Sequence, residues 1–236
     1  MVFAHNRPQA NQKARFHKTA DTRALVPAMH HQLLYAYGPQ QWWPGETDFE
    51  VIVGAILTQN TAWQNVEKAI AHLRWARLLT PQALYRVSEK RLASLIRPSG
   101  YFNIKAGRLK SFIRFLFREY QGSLKVMFKE PIGTLRAKLL RVKGIGPETA
   151  DSILLYAGGL PTFVVDAYTR RVFSRHRLVD EDIGYESLKN FFMSRLPPDA
   201  ALFNEYHALV VKVGRERCRK EPLCNGCPLE KFLPRV

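Results

Sequence analysis

The chain has 236 residues, 46 % of them apolar, and 36 lysines and arginines against 20 acidic residues give it a net charge of +16. That length supports one large domain or two small ones around a real core. The charge selects polyanions, nucleic acid first, as partner, with a merely basic surface as the alternative. The longest apolar run, Val51 to Leu57, is seven residues, far short of the roughly 20 that span a bilayer, so no membrane partner is expected.

In chain order, residues 1–22 read as a disordered basic arm. They carry Arg7, Lys13, Arg15 and Lys18, and the first 20 hold no acid. This is not the apolar core of a secretory signal, and the absence of serine argues against a transit peptide. Asp48 is placed to cap a helix whose apolar residues Phe49, Ile52, Val53, Ile56 and Leu57 fall on one face. A second helix is expected from about Ala62 to Trp75. Lys105 to Tyr120 shows Leu109, Phe112, Ile113, Leu116 and Phe117 on one stripe. Thr134 is placed to cap a helix ending near Val142. Pro147 suits the first turn of the next, which runs to about Ala157. Asp166 opens another, and Tyr185–Leu196 and Ala201–Val213 close the set. No run of alternating strands appears, so the fold class is all-α. Two helical lobes are expected, one from about 63 to 162 and the other from about 23–62 plus 163–217.

Two features carry chemistry. In "VKGIGPET" a helix ends, Gly144-Ile145-Gly146 turns sharply, and a helix begins at Pro147. Glycine supplies positive φ and lets a ligand approach the backbone, and the new helix directs free N–H groups at whatever sits in the loop. Phosphate fits there, with Lys143 beside it; an ordinary helix–helix turn is the alternative. Asp166 precedes "AYTRRVF" and on that fact alone reads first as an N-cap. The three cysteines, Cys218, Cys224 and Cys227, are too few and too close for a secreted disulfide framework and are spaced more like a metal or cluster site.

Together these segments resemble the helix-hairpin-helix DNA glycosylase superfamily, the endonuclease III relatives, from about Val26 onward. "LRVKGIGPETADSILLYA" resembles the family hairpin, and "PTFVVDAYTRRV" resembles the segment carrying its catalytic aspartate. "GAILTQNTAWQNVEKAI" resembles the early helix pair with a DNA-facing glutamine. The resemblance implies residues 23–236 as the glycosylase domain, with the active site in a cleft between the lobes and a cysteine loop over 218–236. It implies Asp166 as catalyst. Gln59, Asn60, Lys143, Gly144, Ile145, Gly146, Thr149 and Arg215 become DNA-binding residues, with Gln59 and Asn60 filling the gap left by a flipped nucleotide.

Two departures narrow the branch. Bifunctional members carry a lysine two residues after the second hairpin glycine, where this chain has Glu148, so no Schiff base with the sugar is expected by that route. "QWWPGETDFE", "TQNTAW" and "RPSGYFNIKAGRL" resemble the 3-methyladenine DNA glycosylase III branch, which implies a base pocket of Trp42, Trp43, Pro44 and Trp63. Aromatic faces attract the positive charge of an alkylated purine. The cysteines resemble the family's iron–sulfur loop, but the first spacing is short and Leu233 stands where the fourth cysteine belongs. A labile or three-iron cluster, zinc with a borrowed histidine, and a lost site remain open; no cofactor is certain, and a stable four-iron cluster is not expected. The lysine that bridges this region in cluster-free members is here Leu209. The expectation is a monofunctional glycosylase for alkylated bases in double-stranded DNA, monomeric, cytoplasmic and nucleoid-associated. An oxidised-pyrimidine glycosylase with lyase activity and a non-catalytic DNA-binding module are the alternatives.

Overall fold

The computed structural model describes residues 22–40, 42 and 45–234. The expected basic arm lies outside these apart from Thr22, and so do Trp43 and Pro44. Among the described residues the structure is helical, with no strand.

One core gathers α2 (Asp48–Leu57), α3 (Trp63–Trp75), α4 (Pro81–Arg86), α5 (Glu89–Leu95), α6 (Phe102–Tyr120), α7 (Leu124–Met127), α8 (Ile132–Leu140) and α9 (Pro147–Ser152). Every residue of α2 from Phe49 to Leu57 is buried, as expected of a helix that is apolar around its circumference. Its one buried charge, Glu50, is met by Arg74 of α3 at 2.8 and 2.9 Å. The α6 stripe packs as its spacing predicts, with Leu109, Phe112, Ile113 and Leu116 in the core and Phe117 stacked on Tyr85 at 4.3 Å. Lys105 is buried and donates to the carbonyls of Leu57 and Ser99 at 2.8 and 2.6 Å. It thereby satisfies an orphan carbonyl at the α2 C-terminus and fixes the start of the Thr58–Asn60 turn. Burial, then the nearby Arg108, lowers its pKa.

The second core gathers α1 (Thr22–Tyr37), α10 (Ala167–Arg175), α11 (Tyr185–Met193) and α12 (Ala200–Glu216). Phe163 stacks on Phe192 at 4.1 Å, and the Tyr206 hydroxyl ties α12 to α1 through the Val26 carbonyl at 2.8 Å. Leu209, at the position of the bridging lysine, is fully buried here.

Three expectations change. Helix α2 does not belong with the chain ends: it sits inside the first core, because its uniformly apolar surface needs cover on all sides. The cap of α2 is Thr47, whose side chain accepts from the Glu50 amide at 3.2 Å, and Asp48 is the first helical residue. Helix α8 starts at Ile132 behind Pro131, so Thr134 lies within its first turn rather than capping it. Helix α1 was not foreseen, since its Pro27 interrupts a helical reading.

A buried ion cluster joins the two cores. Asp151 of α9 is inaccessible to solvent and accepts from Arg136 Nε and Nη2 at 2.9 Å each, Thr162 Oγ1 at 2.9 Å, Tyr185 Oη at 3.0 Å and Lys189 Nζ at 2.8 Å. Tyr185 and Lys189 come from α11, so this carboxylate pins the hairpin's second helix to the other lobe.

Candidate active site and nucleic-acid interface

The hairpin is built by residues that differ in what they can spare for a ligand. Gly144 has φ +91°, and a Cβ there would collide with the Arg108 side chain, so glycine is required. Gly146 has extended backbone and open space where a Cβ would go. The turn itself therefore does not require a glycine at this position. Ile145 is buried and its amide donates to the Val142 carbonyl at 3.0 Å; its side chain anchors the loop. Pro147 stands at N1 as expected, and the helix runs on as a π-helical turn from Ile153 to Ala157. Lys143 is exposed.

Gln59 does not hang free. Its Nε2 donates to the Gly144 carbonyl at 3.1 Å and to Thr149 Oγ1 at 2.8 Å, and its Oε1 accepts from Arg108. Thr149 is buried. Both side chains support the hairpin internally, a different placement from the DNA-facing one expected. Asn60 is exposed in the left-handed region at φ 53° and projects from the turn tip. Gln59, Asn60, Arg108, Glu148, Thr149, Tyr185 and residues 143–146 line one cleft of about 750 Å³.

Asp166 is the N-cap of α10, as its residue context predicts. Its Oδ1 accepts from the Thr169 amide at 2.7 Å and from Thr169 Oγ1 at 2.8 Å. Its Oδ2 has no hydrogen bond among the described residues. One oxygen thus orients the carboxylate, and the other makes no such bond among the described residues. Its charge reaches Glu148, whose carboxyl is pushed up to about 7, first by removal from solvent and then by Asp166. Glu148 is open to solvent at its surface yet enclosed by the concave cleft, which explains how an accessible carboxyl is partly desolvated. It has no side-chain hydrogen bond among the described residues.

Tyr156 joins this group. Its hydroxyl lies buried, and its pKa is raised first by burial and then by Asp166. It interacts with the Trp42 side chain. The rings of Trp42 and Tyr156 lie 6.3 and 6.1 Å from that of His207. His207 Nδ1 is 2.9 Å from the Val164 carbonyl; a carbonyl only accepts, so Nδ1 carries a proton. Tyr156, His207 and Arg108 escaped sequence reasoning. The first two look like core residues in apolar runs, and Arg108 like a solvated face of the α6 stripe.

Of the described expected residues, Asp166, Trp42, Trp63 and Arg215 do not line this cleft, and Asp166 is coupled to it through its charge on Glu148. Trp63 is half-buried against the first core, donates to Glu67 Oε1 at 2.9 Å and lines a separate groove with Gly45, Glu46 and Arg74. Arg215 is exposed at the end of α12, where Gly214 packs against Tyr168; no side-chain contact joins it to Asp166. Arg171 is spent on the carbonyls of Cys218 and Gly214 at 2.7 and 2.8 Å.

The sequence profile described as "HhH-GPD superfamily base excision DNA repair protein" matches residues 53–198, which hold the hairpin, Glu148 and Asp166 together. The chain belongs to this superfamily of helix-hairpin-helix DNA glycosylases. It is 49 % identical over 88 % of its length, and 95 % of the other's, to a protein of Methanocaldococcus jannaschii assigned provisionally as a DNA repair glycosylase. It is 30 % identical to endonuclease III of Thermotoga maritima over 78 % of this chain and 82 % of that one. The H. pylori 3-methyladenine DNA glycosylase, solved with 1,N6-ethenoadenine, superposes with a TM-score of 0.71 at 28 % identity, covering 84 % of this chain and 98 % of that one. A trapped endonuclease III–DNA intermediate shares the fold at a TM-score of 0.76 and 21 % identity, over 90 % and 96 % of the two chains.

The iron–sulfur loop of this superfamily is tested by the donors present. Cys218, Cys224 and Cys227 line one cavity of about 270 Å³, and Leu233 lines it too. Leucine supplies no ligand, so the four thiolates of a four-iron cluster are not there. No group of three His, Cys, Asp or Glu among the described residues is placed to hold a metal ion. Protein contacts also hold the loop, including Arg175 to the Lys220 carbonyl at 2.9 Å and His176 Nδ1 to the Phe232 carbonyl at 3.1 Å. No helix among the described residues is long and apolar enough to cross a membrane.

Proposed function

We propose that the chain is a monofunctional DNA glycosylase that releases alkylated, 3-methyladenine-type bases from double-stranded DNA, acting as a monomer on the nucleoid. The observation that carries this reading is Glu148, a carboxyl in the cleft beside Asp166 at the position of the lyase amine. Without an amine there, water is the nucleophile. The bond from the sugar C1′ to the base nitrogen breaks with its electron pair going to the base. A cationic methylpurine leaves neutral and needs no proton. Asp166, held by Thr169, stabilises the oxocarbenium-like sugar and orients the water, which forms the new C–O bond and gives its proton to the Asp166 carboxylate. Trp42, grouped with Tyr156 and His207, is assigned to the base pocket, and Trp43 and Pro44 are assigned to it by resemblance alone; Trp63 lines a separate groove and is left out of it. Asn60 enters the duplex, and Lys143 with the backbone of Gly144 and Gly146 holds phosphate. Arg215 is assigned to a flanking phosphate. The likeness to the H. pylori glycosylase supports the class of base.

A second reading rests on the Glu148 value of about 7. Near neutrality a protonated Glu148 could donate to a neutral leaving base, which a cationic one does not require. The test is base release from duplexes carrying methylated purines, ethenoadenine, or oxidised and deaminated pyrimidines, with alkali revealing abasic sites. Release of methylpurines with a rate insensitive to protonation of Glu148 supports the first reading. Release confined to neutral bases, falling as pH rises through about 7, supports the second. Borohydride with abasic DNA should trap no covalent adduct; a robust adduct would restore a lyase.

A further inference from the structure

Beside the hairpin lies a groove of about 440 Å³ between α6 and the end of α8. Arg114, Arg118, Lys138, Arg141 and Lys143 line it, against the single carboxylate of Glu119. That carboxylate is already taken by Arg118 at 2.8 Å and neighboured by Lys138 at 4.0 Å, and Lys138 also pairs with Glu130. Among the described residues Arg114, Arg141 and Lys143 have no ion-pair partner. All three are exposed. Several like charges left facing one concavity raise its potential and mark it for a polyanion.

The groove is continuous with the hairpin cleft, because Arg141, Val142 and Lys143 line both. Arg108, which packs against Gly144, stands on the same helix as Arg114 and Arg118. At 1.5 Å of rise per residue, Arg114 lies about 9 Å and Arg118 about 15 Å further along α6. The groove therefore starts at Lys143 of the hairpin and extends along α6 to Arg114 and Arg118.

We propose that this groove is a second phosphate track, which grips the backbone of the same strand beyond the hairpin and lengthens the footprint of the protein on duplex DNA. The track rests on the reading of the hairpin as a phosphate holder but not on the identity of the excised base. It contributes affinity and register without reading sequence. Arg114 is its diagnostic residue, since it lines this groove and not the hairpin cleft.

The experiment measures binding of the full chain to two duplexes with the same abasic site, one ending close to the lesion and one extended by about one helical turn, roughly 10 base pairs, on each side. Arg114→Glu should weaken binding to the extended duplex roughly tenfold. It should also lower the dependence of log affinity on log salt by about 0.9 for each phosphate that is no longer neutralised. Affinity for the short duplex should be unchanged, and Arg114→Lys should behave like the parent. Equal losses on both duplexes would overturn the proposal, because the residue would then act through the hairpin or the fold. Unchanged affinity for the extended duplex would overturn it too, including the case where Arg114→Glu instead abolishes binding of an acidic peptide such as polyglutamate. If the parent releases no alkylated base yet the length-dependent loss persists, the substrate reading fails and the track stands.

Discussion

Glu148 and Asp151 stand three residues apart on α9, and their surroundings could hardly differ more. Asp151 is sealed from solvent and accepts five hydrogen bonds, three of them from two cationic side chains. Glu148 faces the cleft with no side-chain partner and with the Asp166 charge beside it. A carboxylate that joins lobes is saturated, because breaking a buried pair leaves an uncompensated charge. Glu148 is left short of donors, so the folded state disfavours its charge. The same helix therefore carries a group that holds the protein together and one that costs it stability at neutral pH.

The sharpest way to break this comparison is Asp166→Asn. Asparagine keeps the cap to Thr169, so melting should barely change, while base release should fall by roughly 10²- to 10⁴-fold, the usual size of an acid–base contribution. Single-turnover release and thermal melting on the same preparation check both halves. Near-parent turnover would return Asp166 to a plain N-cap. The opposite pattern is expected at Asp151. Asp151→Ala should lower stability by about 3–5 kcal/mol in denaturant melts, and a loss below about 1 kcal/mol, typical of an exposed pair, would remove it as the strut between the lobes.

Gly146→Val sharpens the contrast between turn and surface. The position has room for a side chain, so the variant should melt like the parent yet bind all duplex sequences about tenfold more weakly, as a blocked phosphate contact should. Unchanged affinity in anisotropy titrations would mean that the loop does not grip phosphate. The smallest effect concerns pH. Because the Glu148 pKa lies near 7 in the folded protein against an ordinary 4.5, the folded state binds more protons than the unfolded one between these values. Stability from this group is present below about 4.5 and is lost as pH rises through about 7. Glu148→Gln should match the parent in melting temperature at low pH and exceed it at pH values above about 7. A parallel pair of pH–melting curves would show that the carboxyl is not strained.

Much of this is legible in the sequence. The apolar periodicity of α6, the proline at the start of α9 and the capping aspartate of α10 are local signals, set by side-chain spacing and by which backbone groups a helix end leaves unpaired. The lobe boundary is not, because α2 is apolar on all faces, and periodicity does not say which neighbour covers such a helix. Nor is the inward placement of Gln59 and Thr149. Their hydrogen bonds run to each other and to Gly144, 85 to 90 residues apart in sequence.

An all-helical chain, a glycine hairpin followed at fixed distance by a lone aspartate, a carboxyl in place of an amine, and a strong positive charge are all legible from residue types in order. These depend on residue identity and on spacing within one or two elements. Packing across the fold sets which carboxylates are saturated, brings the rings of Trp42 and Tyr156 to His207, and puts Leu233 in a cavity with three cysteines. Desolvation, charge coupling and hydrogen-bond saturation are sums over every neighbour in space, and the chain brings those neighbours together from both ends.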